Sequence, residues 1–152
     1  MDWGTLLGTA LGALVGVGST LIVDRLRWQR DQTARQRDIK RQLYGEYLAA
    51  LMRTRNQLKD IASSSLAAQD RALQAGEAFR EGGAYELRYQ MSITASAVVA
   101  EHSDASLRRL RDVRNQIREG ATGDDLKETY HVLITVIKAL RDAMRSDLEA
   151  SG

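Results

Sequence analysis

Residues 126–148 read LKETYHVLITVIKALRDAMRSDL, with Leu126, Tyr130, Leu133, Ile137, Leu140 and Met144 recurring at 4-3-4-3-4 spacing and Leu148 extending the same face. At ~3.6 residues per turn a helix gathers those side chains into one stripe, whereas a strand would scatter them over both faces. A stripe this apolar needs a partner. The rest of the chain can therefore be read by asking what covers it.

The nearest match lies upstream, where Tyr44, Tyr47, Leu51, Thr54, Leu58, Ile61, Ser65 and Ala68 follow heptad-like steps. No proline interrupts the chain. One long, bent helix running to about Arg80 and the glycines at 82 and 83 is therefore expected, with Gly45 and the Ser63-Ser64-Ser65 run as its weak points. Between the two stripes, residues 85–93 alternate apolar and polar as a strand would. However, Leu87, Met91, Ala95, Val98 and His102 also fit a helical face, and a lone strand would have no partner, so helix is preferred. Ser103 or Asp104 is expected to cap a following short helix that points Leu107, Leu110, Val113 and Ile117 inward and ends near Gly120. Thr122 and Asp125 form a capping pair for the last helix.

Composition agrees with this all-α reading. Proline and cysteine are absent and aromatics make up only 5%, which leaves no disulfide framework, thiolate metal site or cysteine nucleophile.

The N-terminus differs from the rest. Trp3 to Val23 are 21 residues without a charge, bracketed by Asp2 and Asp24; as a helix they span roughly 31 Å, the thickness of a bilayer's hydrocarbon core. A cleaved signal peptide would begin with basic residues, but here the basic residues follow the apolar run. Residues 24–41 carry a net +4, from seven basic and three acidic side chains. The expected topology is thus a single-pass plasma-membrane protein with its N-terminus outside and its C-terminal domain cytoplasmic. Gly4, Gly8, Gly12 and Gly16 fall four residues apart, with Thr20 in the same register. Such a row lets a second helix backbone approach closely and is read as a transmembrane helix-packing face. Arg25, Arg27, Arg30, Arg35, Arg37, Lys40 and Arg41 are expected to face an anionic surface.

The expected organisation is a transmembrane helix over residues 1–23, a basic juxtamembrane helix over 24–42 and a helical bundle domain over 43–152. The transmembrane helix continues into the long amphipathic helix, which packs with about three further helices as a small antiparallel bundle.

Catalytic and metal-binding patterns are sparse. His102 and His131 sit on separate predicted helices with Glu101 and Glu128 nearby, and Glu128 and His131 supply one Glu-x-x-His where a dinuclear carboxylate site needs two. Walker, Rossmann and serine-elbow motifs are missing. No enzyme, metal or cofactor is expected. Arg108, Arg109, Arg111, Arg114 and Arg118 form a basic face, diluted by Asp104, Asp112 and Glu119 and lacking interleaved aromatics, so nucleic acid is not the expected partner.

The segment KRQLYGEYLAAL, residues 40–51, follows a glycine-rich span and an Arg/Gln/Asp-rich stretch. In Arg41, Tyr44, Glu46, Tyr47, Leu48 and Ala49 it resembles a group of uncharacterised actinobacterial single-span membrane proteins. The resemblance covers about the first third of the chain and implies topology but no activity.

Two functional expectations follow. One is a membrane-anchored, non-catalytic interaction or scaffold protein, binding a cytoplasmic protein partner or forming a homo-oligomer through the glycine row or the helical stripes. The alternative is a membrane-tethered binder of nucleic acid or anionic lipid through its arginine-rich helix faces.

Overall fold

The computed structural model describes the backbone of residues 3–150 and the side chains of Gln32 and residues 34–150. Among these residues the secondary structure is entirely helical: α1 (Trp3–Ala62), α2 (Ala68–Glu81), α3 (Ala84–Thr94), α4 (Ala97–Arg118) and α5 (Lys127–Ala150). The chain divides into two compact units, Met1–Asp38 and Ile39–Gly152. In the first unit the expected span and its glycine row fall outside the residues whose side chains are described. Among the described residues no helix is long and apolar enough to cross a membrane.

The second unit is a helical bundle. Contacts run in opposite order along α1 and α5: Lys40 and Tyr44 meet Asp147, Arg55 lies over Tyr130, and the backbone at the end of α1, Ala62, meets Gly123 in the loop that enters α5. The two helices are therefore antiparallel. The expected stripes pair as their spacing requires. Tyr44, Tyr47, Leu51, Thr54 and Leu58 are buried on α1, and Tyr130, Leu133, Ile137, Leu140 and Met144 are buried on α5.

α4 is the hub, with α5, α2 and α3 all packing against it. Phe79 of α2 lies beneath Arg114, and Arg88 of α3 binds Asp104, so α2 and α3 cover successive halves of α4 in the antiparallel sense. Tyr47 ties α1 to α4 by donating its buried hydroxyl to the Ser103 carbonyl at 2.8 Å. Where the helices come this close the inward residues are small: Ser103 and Ser106 are buried, their hydroxyls returned to the carbonyls of Ala100 and His102.

Three expectations are corrected. The first amphipathic helix does not reach Arg80; it stops at Ala62, at the serine run. There the Ser64 amide and hydroxyl both bind the Ile61 carbonyl, at 3.1 and 2.7 Å, a local bond that competes with helix continuation. Ser65 and Ala68 accordingly leave the stripe and are exposed. As a consequence α2 is a separate element, and four helices rather than about three follow α1. Finally, Ser103 and Asp104 do not cap a helix. α4 begins two turns earlier, after an extended Ala95-Ser96 (ψ 162° and 158°), and Asp104 is held by Arg88. Helix from Tyr85 to Ile93 is as expected.

Two glycines set the path between α2 and α3. Gly83 takes φ 74°, the left-handed conformation that ends a helix without a Cβ clash. Gly82 has ordinary helical angles but sits against α1, where a Cβ would come within 1.8 Å of the Thr54 hydroxyl. The turn after α4 also depends on a left-handed glycine. Gly120 has φ 104°, its amide binds the Ile117 carbonyl at 3.1 Å, and the Ala121 amide binds the Gln116 carbonyl at 2.9 Å. Those paired bonds form a Schellman motif.

Candidate functional site

The antiparallel pairing of α1 and α5 brings the last turns of α1 beside the loop that enters α5. There they enclose a cleft of about 650 Å³. The Gly123 amide donates to the Ala62 carbonyl at 3.1 Å, fixing the loop to the helix end. Gly123 has no side chain to spare, since a Cβ would lie 2.7 Å from the Ser63 hydroxyl oxygen. Thr122 donates both its amide (2.9 Å) and its hydroxyl (2.8 Å) to Asp125; α5 starts only at Lys127, so this pair closes the loop ahead of the helix instead of capping it as expected. The backbone bond, then the hydroxyl bond, hold the Asp125 carboxyl below its usual range.

The cleft is cationic. Arg55 and Lys59, one turn apart on α1, and Lys127 at the start of α5 line it, against a single carboxylate, Asp124, which is ion-paired to Lys127 at 3.0 Å. The Arg55 guanidinium lies 5.7 Å from the centre of the Tyr130 ring, within cation–π range. Burial pushes the Tyr130 phenol up to about 12, against the lowering effect of Arg55. The phenol therefore stays protonated at neutral pH. Its hydroxyl and the Arg55 Nε are buried without a hydrogen-bond partner.

At the other end of the bundle, Asp147 Oδ2 accepts from Lys40 Nζ at 3.0 Å and from the Tyr44 hydroxyl at 2.6 Å. Burial works to raise the Asp147 carboxyl, but hydrogen bonds from Tyr44, Lys40 and Ser96 outweigh it and hold the group below its ordinary value. Burial, aided by the bond to Asp147, raises the Tyr44 phenol. These groups satisfy one another and lock α1 to α5.

A second surface lies on α3. Tyr85, Tyr89 and Ile93, spaced one turn apart, are 40, 50 and 86% exposed. The two tyrosines meet edge to face at 5.3 Å and share a hydrogen bond of 2.8 Å. Arg108 and Arg111, both exposed, border the patch next to Tyr85.

The residues singled out from sequence are dispersed. Gly4, Gly8, Gly12, Gly16, Arg25, Arg27 and Arg30 lie outside the residues whose side chains are described. Arg35 and Arg41 are exposed, Arg37 is half-buried, and Lys40 is committed to Asp147. On α4 the basic face is divided, because Arg114 turns onto the Phe79 ring at 4.6 Å and Arg109 pairs with Asp112 at 3.2 Å. His131 is exposed and His102 half-buried, on different helices. Among the described residues no group of acidic or histidine side chains could hold a metal ion.

Arg55, Lys59, Lys127 and Tyr130 were not apparent as a set. The only local signal was the one-turn spacing of Arg55 and Lys59, because the other members join across the bundle.

Fold and surface together define a helical bundle with a cationic cleft at one end and an exposed aromatic ridge on its flank. No family model matches the chain, and no match is found among curated proteins or solved structures.

Proposed function

We propose that this chain is a single-pass membrane protein whose cytoplasmic helical bundle is a non-catalytic interaction module. The anchor rests on the uncharged run from Trp3 to Val23 and the basic excess that follows it. The resemblance of residues 40–51 to actinobacterial single-span proteins agrees with that topology.

What carries the interaction reading is the α3 ridge. The stripes of α1, α4 and α5 are consumed in the core, yet Tyr85, Tyr89 and Ile93 stay outside on one face. Contiguous apolar surface of this kind marks an interaction site. The occupant is a protein segment both apolar and acidic: the ridge supplies aromatic and aliphatic contacts, and Arg108 and Arg111 supply positive charge at its edge. The alternative reading, a nucleic-acid or anionic-lipid binder, loses support from Arg114 and Arg109, which are engaged within α2–α4.

Photocrosslinking in native membranes tests the interaction. A photoreactive residue at position 93 of the full-length protein should capture a segment rich in acidic and apolar residues, and Arg108→Glu with Arg111→Glu should abolish the adduct. A probe at the exposed Lys138 serves as control. Adducts only with a second copy, or the same adducts from both positions, would refute the docking face. Reporter fusions at Met1 and Gly152 test the anchor, and an externally active C-terminal reporter would overturn the orientation.

A further inference from the structure

We propose that the cleft between the end of α1 and the start of α5 binds a phosphate-bearing ligand, its oxygens held by Arg55, Lys59, Lys127 and the Tyr130 hydroxyl. Three observations converge on this chemistry. Arg55, Lys59 and Lys127 line the space; Asp124, its single lining carboxylate, offsets Lys127, and Asp60 acts on Tyr130 from nearby, which leaves Arg55 and Lys59 as the charge excess of the lining. Tyr130 is only 9% exposed and lines the cleft, yet its hydroxyl has no partner, and neither has the Arg55 Nε. Buried polar groups are normally satisfied, so two orphans beside one cleft mark where an acceptor would be stabilised. The cleft also lies at the beginning of α5, the end of a helix that favours an anion.

The opposing helix end does not cancel this. The C-terminal carbonyls of α1 would repel an anion, but those of Lys59, Ile61 and Ala62 are engaged by the amides of Ser63, Ser64 and Gly123. The donors come from two helices and approach from different directions. A phosphate, with acceptor oxygens spread tetrahedrally, suits them better than a planar carboxylate. A volume of about 650 Å³ exceeds what phosphate alone would fill and leaves room for an organic portion. The same chemistry could come from a soluble phosphate ester or from a lipid headgroup.

Calorimetric titration of the full-length protein in detergent micelles, with pyrophosphate and with short-chain phosphatidic acid as separate probes, tests the site. At least one probe should bind saturably, and the tighter of the two identifies the source. Lys59→Glu and Arg55→Gln should each weaken binding by about tenfold or more, the loss of one charge-assisted contact. Lys138→Glu, the same charge change on an exposed part of α5, should leave affinity nearly unchanged. Tyr130→Phe should weaken binding while raising the melting temperature of the unliganded protein, because it deletes a buried hydroxyl without a partner. No saturable binding, or equal losses in Lys59→Glu and Lys138→Glu, would overturn the proposal.

Discussion

Gly82→Ala tests whether the bundle is packed as described, because the added methyl group is small and its neighbours are defined. The Cβ would fall 1.8 Å from the Thr54 hydroxyl oxygen, 3.0 Å from the Thr54 Cβ and 3.1 Å from the Ala78 carbonyl oxygen. Thr54 cannot easily retreat: it is fully buried, and its hydroxyl donates to the Ala50 carbonyl at 2.9 Å. Overpacking of this kind costs about 1–3 kcal/mol. Against it stands a gain of about 0.4–1 kcal/mol, because φ at Gly82 is −66° and alanine restricts the unfolded chain without straining the folded one. The net expectation is a loss of about 1–2 kcal/mol, seen as a melting temperature several degrees lower in circular dichroism of the full-length protein in micelles. Thr54→Ala destabilises on its own by removing a buried hydroxyl and methyl. In the double mutant the 1.8 Å clash is gone and only the 3.0 and 3.1 Å contacts remain, so the two losses should not add, with a coupling of about 1 kcal/mol or more. A neutral or stabilising Gly82→Ala, or strictly additive losses, would refute the close approach of α2 to α1.

Asp147 should give the bundle part of its acid sensitivity. Its folded carboxyl is held below 3.8, so the stability it contributes is complete above that value and is lost as pH falls through the lower folded one. Asp147→Asn should therefore melt at a lower temperature near neutrality and show a flatter decline below pH ~4 in melts across an acid series. Tyr47→Phe removes the hydroxyl that reaches Ser103 and should cost about 1 kcal/mol, measured by the same melts, with the helical spectrum unchanged. Within the membrane, Gly8→Ile with Gly12→Ile should leave insertion intact but lower self-association in an energy-transfer assay. Leu7→Ile with Leu11→Ile, on another face, should have little effect, and an unchanged signal from the glycine pair would remove the packing role.

The sequence by itself determined the class of fold and the main partners in its core. The alternating steps of four and three in residues 44–61 and 126–148 are a local property of helical geometry, and the structure buries those stripes against each other. Two helix ends that act through neighbours were legible: the turn at Gly120 and the weak point at the serines.

Only the tertiary structure decided what depends on residues far apart in the chain. The start of α4 at Ala97 was missed because Ser103 and Asp104 look like caps locally, while Tyr47 and Arg88, from other helices, give them different work. The role of Gly82 is likewise set by Thr54 on another element. The same holds for the cleft. Arg55 and Lys59 are ordinary exposed-face residues in a helical pattern, and they become a site only when the antiparallel return of α5 places Lys127 and a buried Tyr130 opposite them. Periodicity specifies which face of a helix turns inward, but the register between two helices is set by packing across the whole core.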